Sequence, residues 1–198
     1  IGFCNGIPGL RKNAAVLPAS TGIGMRGGGL VLSCLGLQTA REDVSLFPLE
    51  NPLQIPAYQY PPTYSPETPK FSRAMALVLG DYVTSWISGT ASIVNSESLY
   101  PGDIERQTMQ TLDNIERLIA PENCAAHGFP GAGARLEDLA KVRVYVKPGA
   151  DFARCKAVCE SRLGQVPALY IVADVCRPEL LVEIEGVAFS RLQAPPLR

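Results

Sequence analysis

The 198-residue chain has one histidine, His127, and one tryptophan. A lone histidine supports neither a histidine-built zinc site nor a ribonuclease acid–base pair. The six cysteines, Cys4, Cys34, Cys124, Cys155, Cys159 and Cys176, include no CxxC pair, and neither a metal nor a cofactor is expected. No apolar run reaches the roughly 18 residues that suggest a membrane span. The net charge of −1 offers no basic footprint for nucleic acid. The opening IGFCNGIPGL shows neither an initiator methionine nor a secretory leader, so a trimmed start is expected. Unpaired thiols in this number suit a reducing compartment, and a cytoplasmic protein is expected.

What is present can fold. Hydrophobic residues make up 46 % of the chain and charged residues 19 %, enough for a real core in one domain or a domain plus a partial lobe. Cys155 and Cys159 sit four apart, on one face of a helix. They read as small core residues rather than half of a metal site. His127, in the loop CAAHGFPGAG, reads as solvated.

Residues 1–70 hold more than half of the 17 prolines and the cluster GIGMRGGGL. That cluster would cradle phosphate only if it opened a helix. The strand expected in this part is LVLSCLGL, Leu30 to Leu37. Phe47 to Arg73 reads as extended chain, because proline at this density removes ladder donors. Its Tyr58, Tyr60 and Tyr64 argue against a free linker, since such side chains pack on something.

From Phe71 the pattern becomes regular. ALVLG and YVTSWISGTASIV flank Gly80-Asp81, a hairpin. In PGDIERQTMQTLDNIERLIA, Ile104, Thr108, Thr111, Ile115 and Leu118 recur at helical spacing, with Asp103 as N-cap. A short helix LEDLA leads into the strand KVRVYVK. Asp151 caps a helix with Phe152, Cys155, Cys159 and Leu163 on one face. ALYIVADVC and LLVEIEGVAF are the last strands. The order ββα then βαββ predicts a two-layer α+β domain on one sheet.

Several pieces together resemble a known family. ISGTAS, QTMQTLDNI, LEDLAKVRVYVK, Phe152, VPALYIV and R…VEIEGVA follow in order and spacing like the Rid superfamily, the reactive intermediate deaminases once labelled L-PSP endoribonucleases. The resemblance implies a chorismate-mutase-like fold, with helices on one face of a mixed sheet, and a homotrimer with clefts between subunits. The domains expected are a partial N-terminal lobe over 1–70, a Rid-like domain over 71–192 and a tail over 193–198.

Further upstream, ENPLQIPAYQYPPTYSPETPKFSRA followed by SGTASIV…ES…PGD is similar to the chorismatases, Rid-like enzymes that hydrolyse chorismate to pyruvate and a hydroxybenzoate or dihydrodiol. Chorismatases have a longer N-terminal lobe. Their GHES reads Asn95-Ser96-Glu97-Ser98 here, so a family histidine is absent.

Splitting the chorismate enol ether requires protonation of its methylene carbon, by an acid still protonated near neutral pH. Glu183 and Glu185 are two apart on a strand and project from one face. Burial and a like-charged neighbour both raise a carboxyl pKa. The resemblance implies Glu183 as general acid and Glu185 as its pKa-raising neighbour or an arginine partner. It implies Arg177 and Arg73 as anchors for substrate carboxylates, a task suited to the planar guanidinium. Tyr60 is expected beside the substrate. Cys176 and Gly89 match the branch that makes 3-hydroxybenzoate, where the thiol is a candidate nucleophile; a small buried residue is the other reading of Cys176. Two other functions fit the same residues: an enamine/imine deaminase using Arg177, and a non-catalytic trimer that binds small carboxylates.

Overall fold

The computed structural model describes residues 16–24, 27–64 and 66–193. Cys4, Met25 and Arg26 of the glycine cluster, and tail residues 194–198 lie outside the described residues. Five strands and two helices carry the expected plan. β2 (Ala74–Leu79) and β3 (Tyr82–Thr90) form the hairpin, and Gly80 takes the positive φ of 56° that its turn requires. A small ribbon of β4 (Ile93–Val94) and β5 (Glu97–Ser98) follows. Then come α1 (Ile104–Ile119), the short α2 (Pro121–Ala126), β6 (Leu139–Val146), α3 (Phe152–Leu163), β7 (Ala168–Val172) and β8 (Val182–Arg191).

One strand was not anticipated. β1 (Val44–Leu49) pairs antiparallel with β2. It carries Pro48, but it lies at the edge of the six-stranded sheet β1-β2-β3-β8-β6-β7, where proline is tolerated. Its alternation sends Phe47 and Leu49 into the core. The strand expected at Leu30–Leu37 does not form: residues 30–40 are irregular, and Leu30 is 80 % exposed. Strand propensity there finds no partner, because Val44–Leu49 takes the place beside β2.

β6 and β7 pair in parallel and the remaining neighbours are antiparallel, so the sheet is mixed. α1 and α3 pack together, and their buried side chains share one core with Val142, Val144, Val182 and Ile184 of the sheet. The expected face of α1 is buried throughout, and Asp103 accepts the Arg106 N–H at 3.1 Å as its N-cap. Asn114 on this face donates to the carbonyls of Ala91 and Ile93, at 3.0 and 2.9 Å. Those two buried bonds, each worth about 1 kcal/mol, pin the exit of β3 to the helix layer. Cys155 and Cys159 lie in the core, where Thr108 Oγ1 contacts Cys155 Sγ at 3.4 Å.

Three local expectations change. LEDLA is a single 3-10 turn, Leu136–Asp138, that enters β6 directly. Asp151 precedes α3 but makes no capping bond. It already has helical backbone angles in a 3-10 turn, and its carboxylate faces Arg154 at 3.7 Å instead. β7 ends at Val172, so Cys176 lies beyond the strand.

Candidate active site

The site is built around β8. Val182 and Ile184 face the helices in the core, so alternation turns Glu183 and Glu185 to the other face of the sheet. Across the ladder Glu183 pairs with Tyr145 and Glu185 with Arg143 of β6. On the β3 side the register shifts between Ile87 and Thr90. Such an irregularity re-aims the backbone, and it brings Gly89 against Glu183. A Cβ built at Gly89 would lie 1.9 Å from Glu183 Oε1. A side chain at this position would force the Glu183 carboxyl and the Thr21 methyl to move, so glycine suits this approach.

The two carboxyls have opposite electrostatics. Glu183 is 5 % exposed. Burial, and next the charge of Glu185, push its pKa up to about 7, against the opposing field of Arg73. Burial acts on Glu185 too, but bonds from Thr21, Arg143 and Tyr145 outweigh it and hold Glu185 below its ordinary value. Arg143 Nη1 reaches Glu185 Oε1 at 2.6 Å, and the Tyr145 hydroxyl donates to the same oxygen at 2.9 Å. Burial and this bond push Tyr145 up to about 12, so it stays a donor. Glu185 is thus a fixed anion, and Glu183 is a carboxyl that shares the neutral range with its proton.

A strap formed by residues 17–24 crosses this face. Pro18 O accepts the Ser72 N–H at 2.9 Å, Ser20 N–H donates to Ser88 Oγ at 2.9 Å, and Gly24 N–H donates to Asp174 O at 3.0 Å. Midway, Thr21 Oγ1 accepts the Gly89 N–H at 2.9 Å. The N-terminal part of the glycine cluster therefore anchors a cover, and among the described residues no helix follows it to make a phosphate cradle.

The arginines meet at Tyr60. Arg73 is 3 % exposed; its Nη2 donates to the Tyr60 hydroxyl and to Ile55 O, the latter at 3.2 Å. Arg177 lies 5.1 Å from the Tyr60 ring and 3.8 Å from the Tyr64 ring. Its Nη1 donates to Ser96 O at 2.8 Å and Ser98 Oγ at 3.0 Å. Among the described residues, Arg73 Nε and Arg177 Nη2 are buried without partners. Two buried donors left open, on two cations, fit two carboxylates.

Cys176 completes the group. Its side chain is exposed in the single chain. Dense surroundings and then the Glu183 charge raise its pKa, against Arg177 and Lys147. The thiol form dominates near neutral pH, and attack by sulfur needs a base. The region thus holds Glu183, Glu185, Gly89, Arg73, Arg177, Tyr60 and Cys176. Sequence reading missed Arg143 and Tyr145, although their spacing of two in VRVYV matches that of the glutamates. It missed Thr21, for which no local signal exists. His127 is not a solvated loop residue: Nε2 accepts the Glu50 N–H at 3.2 Å and Nδ1 lies 2.8 Å from Asn123 O. Among the described residues no cluster of three or more His, Cys, Asp or Glu is placed to hold a metal, and no helix is long and apolar enough to cross a membrane.

The chain is thus a two-layer α+β domain with paired carboxyls on its open sheet face and two arginines beside them. The endoribonuclease L-PSP family model matches residues 66–190, and the chain belongs to that family, the Rid superfamily of the sequence reading. The chain is 40 % identical over 177 residues to a 3-hydroxybenzoate synthase of Streptomyces hygroscopicus, covering 86 % of this chain and 50 % of the relative. It superposes on the crystal structure of a chorismatase with a TM-score of 0.75 at 32 % identity, over 88 % of this chain and 51 % of that one. An endoribonuclease L-PSP structure from Entamoeba histolytica, at 17 % identity and a TM-score of 0.52, shares the fold over 73 % of this chain and 98 % of its own. The chain spans about half the length of the curated relatives it matches.

The raised Glu183 pKa has a consequence for stability that needs no substrate. Its folded value is about 7, against 4.5 for the free group. The stabilisation is fully present below about pH 4.5 and is lost as pH rises through about 7. Urea unfolding at a series of pH values should show Glu183→Gln losing about 3 kcal/mol less stability than wild type across that range. Parallel stability curves for the two proteins would contradict the raised pKa.

Proposed function

We propose that this chain carries the acid–base centre of a chorismatase-type enzyme, which splits chorismate into pyruvate and a hydroxybenzoate. The observation that carries the reading is Glu183, a buried carboxyl with no cation bonded to it among the described residues, beside the fixed anion Glu185. An enol ether is cleaved by moving a proton to carbon, and an acid poised near neutrality does this best. Glu183 protonates the methylene carbon, the ether carbon becomes an oxocarbenium, and water adds to it. The adduct then collapses to pyruvate and a ring hydroxyl. For 3-hydroxybenzoate, loss of the neighbouring ring hydroxyl as water aromatises the ring, so no net water is consumed.

Arg73 and Arg177 each take one substrate carboxylate, supported by their open N–H donors. Gly89 leaves room for the Glu183 carboxyl to face the substrate. Cys176 is the candidate nucleophile toward an epoxide-like ring intermediate: sulfur bonds a ring carbon as the epoxide carbon–oxygen bond breaks to give the ring hydroxyl, and the thiol leaves again as a ring proton is lost and the ring aromatises. After Glu183 gives up its proton to carbon, its carboxylate is the base whose charge already acts on the thiol. The Rid-type deaminase reading needs Arg177 but not Glu183, since imines hydrolyse readily. The assembly proposed with this reading is a cytoplasmic homotrimer with clefts between subunits; sedimentation showing only monomer at micromolar concentration would remove the trimer.

Glu183→Gln keeps the size and most hydrogen bonding of the side chain but has no proton to give. Pyruvate release from chorismate should fall by roughly 10²–10⁴ fold while ligand binding survives. The wild-type rate should decline as pH climbs through about 7. Retained chorismate turnover in Glu183→Gln would remove it as the acid. Imine hydrolysis by both proteins, with no pyruvate released by either, would favour the deaminase.

A further inference from the structure

Glu50 follows β1 directly, and nothing in the mechanism above uses it. Both of its carboxylate oxygens are shielded from solvent and, among the described residues, neither makes a well-formed hydrogen bond. A buried carboxylate left so is costly unless a cation faces it. The ladder places that cation. Leu49 pairs with Ala74, and both are fully buried, so Glu50 and Arg73 are the next residues outward at the same end of the β1–β2 pair.

The titratable and charged groups that face Glu50 are Arg73, from the lead into β2, and His127, from the end of α2. His127 is held by the backbone on both sides. Its Nδ1 must donate to Asn123 O, because a carbonyl only accepts, and its Nε2 must accept from Glu50 N–H, because an amide only donates. That pattern places the ring proton on Nδ1. Asn123 Nδ2 donates to Glu50 O at 3.0 Å and fixes the turn. Arg73 is the permanent positive charge whose field reaches the Glu50 carboxyl; its backbone N–H and, less strongly, His127 also favour the carboxylate.

We propose that Glu50 is a positioning residue coupled to ligand binding: when a ligand carboxylate pairs with Arg73, Glu50 takes up a proton. The inference rests on the reading of Arg73 as a carboxylate anchor. Burial raises the Glu50 pKa, and the Arg73 charge is the largest of the effects that oppose it. A ligand anion at Arg73 cancels that opposing effect. The Glu50 pKa then rises further, and protons are bound at any pH between its free and bound values. Arg73 also lowers Glu183, so the same event draws protons to the candidate acid, and the two acceptors must be separated experimentally.

The test is isothermal titration calorimetry with 3-(carboxymethoxy)benzoate, a stable aromatic dicarboxylate without an enol. Each titration is run at a series of pH values from mildly acidic to mildly alkaline, in two buffers of different ionisation enthalpy at each, on Glu183→Gln and on Glu183→Gln combined with Glu50→Gln. In Glu183→Gln, binding should take up protons, to a limit of about one per site, and the uptake should vanish toward both acidic and alkaline pH. The double variant should bind with uptake abolished. Binding by Glu183→Gln without proton uptake overturns the inference and leaves the Arg73 reading standing, whether or not the double variant folds. Equal uptake in the two variants also overturns it. Failure of wild type to bind the probe overturns the Arg73 reading and this inference together.

Discussion

The arrangement depends on one electrostatic constraint: two carboxyls two residues apart on β8 occupy the same sheet face, and both cannot be buried anions without a supply of donors. Among the described residues, the donors go to one of them. Arg143, Tyr145 and Thr21 secure Glu185 as a carboxylate. Glu183 receives the charge of that anion and the low polarity of its surroundings, so its proton is retained into the neutral range. Environment assigns the two roles, and the residue type does not.

Much of the surrounding structure maintains this division. The irregular step in β3 delivers Gly89 to a place where any side chain would strike Glu183. The strap over residues 17–24 uses backbone groups of Ser72 and Asp174 as end anchors and spends its Thr21 hydroxyl on Gly89. It thereby shields Glu183 without offering it a cation. Arg73 acts from a distance, on Glu183 and on Glu50 alike. One permanent cation thus opposes the raised pKa of two buried carboxyls.

Five strands of the sheet, α1 and the paired carboxyls were legible in the sequence because each is written in a local period. Ile104 to Leu118 repeat at helical spacing, and Glu183 and Glu185 alternate with the core residues Val182 and Ile184. Family motifs brought in Arg73, Arg177, Gly89 and Cys176, which local pattern alone would not connect. The failures share a cause. Leu30–Leu37 has the composition of a strand, but strands exist only in pairs, and the pairing went to Val44–Leu49 despite Pro48. Thr21 touching Gly89, and Arg73 facing Glu50, are contacts set by tertiary path, with no signature in either segment. Asp151 had the right residue for a cap and the wrong backbone angles.

The central claim is that Glu183 carries its proton into the neutral range. Carbon NMR on protein labelled with 13C at the glutamate carboxyl reads it directly, with the Glu183 signal assigned by its loss in Glu183→Gln. The account predicts a Glu183 titration midpoint near 7, with Glu185 titrating below an ordinary glutamate. A Glu183 midpoint near 4, the value of an unperturbed carboxyl, would contradict it.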